Sequence, residues 1–312
     1  MKAGIHVMLN PVAGAGSAGK LERPIIRGLE SRGLGPVELV RSNGSGMLHS
    51  AARSAAELGA HCIVAVGGDG TINEVMSGIV SSGRAVTLGV VNAGTGCGFA
   101  QAIGLPRSLH EQLDVIASGG TRMIDVAVVS FEASTSTAKP TTRYFINECE
   151  IGVGSEIIRR TVPALKRLGG TLSFGLAALS VLPQRRGHAL RIGIDGRMYE
   201  GNYFGITIAN GRFTGGGMQL APSAKLDDGL LDSICFKQTS IPRKVHTFSQ
   251  IYSGMHVNCS SVDVFQGPSL HIGSDTPVAV ALDGELLGVT PCAVSILPSA
   301  LRVSAPTITS IQ

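Results

Sequence analysis

The chain has 312 residues, 44% of them apolar, which is enough for two packed cores and too much for a disordered protein. Its net charge of +4 suits contact with phosphates or with an anionic membrane surface, whereas the lack of Trp, an aromatic content of 4% and the absence of a dense lysine run argue against a nucleic-acid binder. The 42 glycines follow no triplet period, which excludes a collagen-like fibre and points to tight turns and close backbone approaches.

From residue 4 to residue 120, short β-branched runs alternate with helical patterns. Strands are predicted at 5–9, 37–40, 62–66 and 86–91, with helices from about Lys20, about Met47, Thr71 and Gly98. This rhythm predicts βαβ units and a mostly parallel sheet, whose ligand-binding loops lie at the carboxyl ends of the strands. After Met123 the pattern changes to strand-like runs at 124–129, 143–147, 189–194, 203–209 and 230–236, which predict a second, mainly antiparallel domain. The polar stretch 133–142 reads as an exposed hairpin loop, and the final runs 293–297 and 301–303 fit either domain.

Six scattered cysteines with no C-x-x-C pair read as reduced thiols of a cytoplasmic protein. Residues 1–11 carry one Lys and a short apolar run broken by His6, which does not read as a secretory signal. The longest apolar stretch, 171–182, falls short of the ~20 residues that span a bilayer. Any membrane contact is expected to be peripheral.

The strongest motif follows the third predicted strand: Gly67-Gly68-Asp69-Gly70-Thr71-Ile72-Asn73-Glu74. Glycines let the backbone approach a bulky anion with its N–H groups pointing inward, and the start of the following helix adds partial positive charge. A carboxylate beside phosphates needs a cation or a donor, so Asp69 points to Mg²⁺. A ligand-free alternative exists for part of the motif, since Thr71 and Glu74 have the spacing of a capping box. A second glycine loop, Gly94-Thr95-Gly96-Cys97-Gly98, follows the fourth strand, and Asn10-Pro11 with Gly14 and Gly16 follows the first.

These motifs, with Leu226-Asp227-Asp228-Gly229-Leu230-Leu231-Asp232 and Asp283-Gly284-Glu285 further on, resemble the catalytic domain shared by diacylglycerol kinases, sphingosine kinases and bacterial lipid kinases. The resemblance runs through nearly the whole chain. It implies an α/β nucleotide-binding domain at 1–123, rejoined by about 297–312, and a β-sandwich lipid-binding domain at 124–296. It also implies ATP held by Asn10, Ser42, Gly67, Gly68, Asp69, Gly70, Thr71, Ile72, Asn73, Gly94 and Thr95. Mg²⁺ is expected at a turn built from Leu226, Asp228 and Leu230, and the catalytic group is expected to be Glu285 with Asp69 and Asp283. One departure stands out: the family reads Gly-Thr-x-Asn-Asp-Phe-Ala, and here Cys97 and Gly98 replace the Asn-Asp pair.

Read without the resemblance, Asp228-Gly229 and Asp283-Gly284 are hairpin turns, and Glu285 is a solvated charge. The apolar and basic stretch 155–186 suits either an anionic interface and lipid cleft or an amphipathic helix packed on its own domain. The expected activity is ATP-dependent phosphorylation of a lipid hydroxyl, diacylglycerol or sphingoid in type. Its alternatives are a soluble-substrate kinase of the NAD kinase type and a nucleotide- or lipid-binding protein with little turnover because of Gly98. The expected partners are ATP and a lipid at the inner face of the membrane, with a homodimer as a further expectation.

Overall fold

The computed structural model describes residues 4–94, 97–132, 141–160, 177, 180–214 and 216–306. Two compact units emerge, Met1–Ile124 with Ser299–Gln312, and Asp125–Pro298. Residues 133–140 of the expected loop and most of the 155–186 stretch lie outside the described residues, while Thr141 and Thr142, read as loop, belong to a strand.

In the first unit, strands β1 (Ile5–Leu9), β2 (Val37–Arg41), β3 (Cys62–Gly67) and β4 (Thr87–Asn92) are all parallel, in the order β4-β3-β1-β2. Arg302 and Val303 add a further parallel partner beyond β4. Helices α1 (Ser17–Lys20), α2 (Glu22–Glu30), α3 (Met47–Glu57), α4 (Asp69–Ser82), α5 (Gly98–Ala102) and α6 (Leu109–Ala117) connect them. Every residue of β3 is buried, as a strand covered by helices on both faces requires, while β2 at the edge is only partly covered. One core joins Val7, Leu9, Val64 and Val66 to Ile25, Leu29, Leu113 and Ile116. Helices α3 and α4 meet so closely that a Cβ on Gly78 would stand 2.3 Å from the carbonyl oxygen of His49. Helix α4 starts at Asp69, two residues before the position read from the sequence, because Gly68 is extended (φ −100°, ψ −170°) and serves as the N-cap.

The second unit is an antiparallel β-sandwich built from β5 (Thr121–Phe131), β6 (Thr141–Phe145), β7 (Glu148–Gly152), β8 (His188–Ile194), β9 (Arg197–Ala209) and β10 (Leu231–Lys237). Strands β11 (Val262–Gly267), β12 (Ser269–Ser274), β13 (Ala279–Leu282), β14 (Glu285–Val289) and β15 (Cys292–Ser304) complete it. The order β14-β13-β7-β9-β8-β12-β15 puts β14 at an edge, and β10 bridges β9 and β11. Alternation selects the core: Cys149 and Ile151, Leu190 and Ile192, and Leu270 and Ile272 all enter one apolar cluster. A second cluster covers Phe204, Ile234 and Phe236 and includes residues from helix α7 (Val153–Arg160), with Phe248 of helix α8 (Ile241–Ser249) packed against it. No helix among the described residues is long and apolar enough to cross a membrane.

Glu150 alternates with Cys149 and Ile151, so it leaves the face that they bury. Its Oε2 accepts the Thr207 hydroxyl at 2.9 Å and abuts Gly154, where a Cβ would stand 1.9 Å away. Burial pushes this carboxyl up to about 8 from 4.5. A raised carboxyl favours folding fully below the unfolded value and loses that contribution as pH rises through the folded one. Stability should therefore decline between about pH 5 and 8. Glu150→Gln should remove the decline and add on the order of 4 kcal/mol at pH 8 while changing little at pH 5. Thermal unfolding across that range checks it; parallel curves for the two proteins would contradict the assignment.

Candidate functional site

Because β1 to β4 run in one direction, the loops that follow them emerge along one edge of the first unit's sheet. Direct bonds link these loops. The Asn10 N–H donates to Val66 O at 3.1 Å, the Ser42 N–H to Leu9 O at 2.8 Å, and the Ala93 N–H to Gly67 O at 3.0 Å. The Asn10 side-chain amide donates to Thr71 Oγ1 at 3.2 Å, and the Ser17 hydroxyl donates to Ala93 O at 3.2 Å. Gly14, at φ +58°, lies under Ala93, where a Cβ would fall 2.0 Å from the carbonyl oxygen. Asn10, Gly67, Gly68, Thr71 and Gly94 are thus gathered together. The Ser42 hydroxyl instead donates within its own loop, to Gly44 O at 3.0 Å. Thr95 lies outside the described residues.

The glycines of the 67–70 loop serve different ends. Gly67 lies beneath Thr71, whose Oγ1 would be 2.4 Å from an added Cβ, and Gly68 and Gly94 approach so closely that a Cβ on Gly94 would stand 3.0 Å from Gly68 Cα. Over Gly70 nothing lies within 4 Å of the Cβ position. The N-cap Gly68 supplies no side-chain acceptor, so among the described residues the Gly70 and Thr71 N–H groups have no partner. The start of this helix of 14 residues therefore carries two unsatisfied amides, with Gly70 itself exposed. Ile72 differs: its side chain is in the core and its N–H closes the helix onto Gly68 O at 3.0 Å. Asn73 is half-buried and accepts the Ser77 hydroxyl at 3.3 Å.

Both acids of the motif cap other helices. Asp69 accepts the N–H groups of Gly98 and Phe99, each at 3.1 Å, and the thiol of Cys97 at 3.3 Å, at the start of α5. Glu74 accepts the N–H groups of Leu48 at 2.8 Å and His49 at 3.4 Å, at the start of α3. The Thr71–Glu74 capping box is therefore not formed. The donors that a carboxylate near phosphates needs reach Asp69 from the protein itself, which removes the argument for Mg²⁺ from that residue. Burial, with the Asp69 carboxylate adding to it, holds the Cys97 thiol well above its usual range. It is a neutral donor here.

In the second unit Asp283 and Gly284, at φ +44° and +87°, form the two-residue turn between β13 and β14. Asp283 is buried, and its carboxylate accepts the N–H groups of Ile146 and Asn147 at 2.9 Å and of Glu148 at 3.1 Å. Glu285 opens β14, is exposed, and has no side-chain partner among the described residues. The two carboxylates of one motif are thus divided: one pins the turn, the other stands in solvent.

Around Asp228 the chain turns into β10, but the residues before the turn form no strand, so this is not a hairpin. Sequence reasoning missed its main partner, Asp125, whose signal is an acid inside the apolar run of β5. The Asp125 N–H donates to Leu226 O at 2.6 Å, and its Oδ2 accepts the Gly229 N–H at 2.7 Å. Asp228 accepts the Leu230 N–H at 3.1 Å. The ligands expected here, the Leu226 and Leu230 carbonyls and the Asp228 carboxylate, are oxygens throughout, the donor type that Mg²⁺ takes. Among the described residues no three His, Cys, Asp or Glu side chains gather as a metal cluster, so an ion here would rest mainly on carbonyls. Asp232, buried beside the turn, accepts from Ser223 at 2.7 Å and Gln266 at 3.4 Å, and burial raises its carboxyl.

Comparison with known proteins agrees with this architecture. Residues 4–129 match the diacylglycerol kinase catalytic domain, and residues 149–305 match the YegS C-terminal NAD kinase beta sandwich-like domain. Over 244 residues the chain is 30% identical to a diacylglycerol kinase of Bacillus subtilis, covering 77% of this chain and 76% of the relative. A Staphylococcus aureus diacylglycerol kinase is 29% identical over 248 residues, covering 78% and 74%. Among solved structures, a diacylglycerol kinase from Bacillus anthracis superposes with a TM-score of 0.73 at 20% identity, covering 98% of each chain. Yeast NADH kinase superposes with a TM-score of 0.56 at 11% identity, covering 97% of this chain and 84% of its own. At these identities the two structures speak for the fold alone.

The capping and pinning roles predict unequal losses. Glu74→Ala should cost about 1 kcal/mol, as a lost helix cap does, and Asp283→Ala about 3 kcal/mol, because three buried N–H groups lose a charged acceptor. Denaturant titration measures both, and an Asp283 variant as stable as the parent would contradict the pinning.

Proposed function

Since the chain belongs to the diacylglycerol kinase family, we propose that it transfers the terminal phosphoryl group of ATP to the hydroxyl of a lipid, diacylglycerol or sphingoid in type. The observation that carries the reading is the bare start of α4: Gly70 and Thr71 amides with no partner among the described residues, and open space over the exposed Gly70, on an edge where the other loops are bonded together. Such amides are suited to phosphate oxygens. Asn10, Ser42, Gly67–Asn73, Gly94 and Thr95 would hold the nucleotide. Asn10 and Asp69 act as positioning residues, the first through Thr71 and the second by fixing the 97–99 backbone beside the cradle.

Phosphoryl transfer to an alcohol requires that the hydroxyl be oriented and its proton removed. Glu285 is the group suited to take that proton: its carboxylate is uncommitted, and Asp283 two residues earlier holds the turn that presents it. Leu226, Asp228 and Leu230 would hold Mg²⁺, which when bound would stiffen the turn into β10 and lower the local negative charge.

A second reading, a nucleotide-binding protein with low turnover, is favoured by Gly98. At that position the family carries a carboxylate, and here the backbone N–H meets Asp69 instead. Incubation with labelled ATP, Mg²⁺ and panels of lipids, NAD and sugar phosphates separates the readings. Label in chloroform-soluble product supports the lipid kinase; label only in NAD or sugar overturns it, and none anywhere favours the binder. Within the first outcome, Glu285→Gln should lower kcat by about 100-fold or more while leaving the KM for ATP within about two-fold. A parallel loss of nucleotide affinity would remove Glu285 from the role of base.

A further inference from the structure

Two stretches of the second unit contain no acidic residue, 157–194 and 233–262, and both contain arginines and lysines. The fold ties them together. Lys244 of α8 donates to Gln184 O at 2.5 Å, and the Gln238 side-chain amide donates to Arg185 O at 2.8 Å. Lys244 is itself buried, its ammonium 3.7 Å from the centroid of the Phe204 ring, so it is a fixed strut rather than a surface charge. The inner side of α8 is Lys244, Thr247 and Phe248. Outward it shows Ile241 and Val245, one helical turn apart, and the chain just beyond adds Tyr252 and Met255; these four are 39%, 47%, 50% and 54% exposed.

Several charges of this unit are already neutralised. Arg159 and Arg160 are bound to Glu156, Arg191 to Asp275 and Lys237 to Asp263. Arg185, Arg186 and Arg243 are exposed and have no carboxylate in ion-pair reach among the described residues. Unpaired guanidiniums next to exposed aliphatic and phenolic side chains are the chemistry of an interfacial surface: the apolar groups enter the headgroup boundary and the arginines meet lipid phosphates. A second copy of the chain fits less well, since two-fold pairing through this face sets like charges against each other with no acid to meet them.

We propose that α8, together with residues 184–186, is the surface by which this protein docks on an anionic bilayer. The proposal deepens the lipid-kinase reading and rests on it for the reason a bilayer is met at all. The full chain is sedimented with vesicles of phosphatidylcholine alone or mixed with phosphatidylglycerol. The expected result is salt-sensitive binding to the mixed vesicles only. Arg185→Glu/Arg186→Glu/Arg243→Glu should lower the partition by roughly 100-fold at least, about five-fold for each positive charge lost and more for its reversal. Ile241→Ser/Val245→Ser should lower it by about ten-fold. Thermal unfolding, and phosphorylation of a short-chain diacylglycerol in vesicle-free solution, should be unchanged in both. Failure of the parent to bind overturns the proposal, as does undiminished binding by both variants. So does a parent dimer on a sizing column that the Ile241/Val245 variant splits, which assigns the face to a second copy. A parent that binds through these residues yet phosphorylates no lipid upholds the docking surface and removes the kinase reading instead.

Discussion

Three helices of the first unit begin near one another, and each brings amide donors that its own backbone cannot satisfy. Helix α4 supplies acceptors to the other two: Glu74 reaches the start of α3 and Asp69 the start of α5. It keeps none for itself. Its own first turn, lined by Gly68 and Gly70, is left with amides that have no partner among the described residues, with open space over Gly70. Charge complementarity between carboxylates and helix N-termini thus builds the rim, and its omission at α4 makes the cradle. The glycine motif has two tasks at once, holding three helices in register and leaving helix-start amides of the kind that suit phosphate.

The same division of labour recurs in the second unit. Asp283 and Glu285 are two residues apart, yet one is enclosed by three backbone N–H groups and the other is exposed. An acid whose lone pairs are filled by amides is a poor proton acceptor and a good anchor. An acid on the hairpin that this anchor holds gains a fixed position and keeps its carboxylate uncommitted among the described residues. Asp125 does comparable work at the turn into β10, where its carboxylate and its backbone N–H hold opposite ends of the 226–229 segment. Carboxylate-to-amide bonds, more than ion pairs, set the loops of both units. Most ion pairs of the described residues involve exposed side chains, where each contributes little.

The sequence by itself determined the architecture and the order of the motifs. Apolar alternation with period two and with helical period is local information, so the parallel unit, the antiparallel unit and the glycine loops at strand ends were all legible. The Asp283-Gly284 turn was legible for the same reason, because only certain residues accept positive φ at both positions. What each acid does was decided by tertiary structure alone. Asp69 finds its donors at residues 97–99, Glu74 at 48–49, Asp125 at 229 and Asp283 at 146–148. A capping box looked sufficient for Glu74, and of the cation or donor that Asp69 needs the cation was the one suggested, because a sequence displays an acceptor without the address of its donors. Those addresses come into being only when parallel strands and crossing helices bring distant amides within three ångströms or so of a carboxylate.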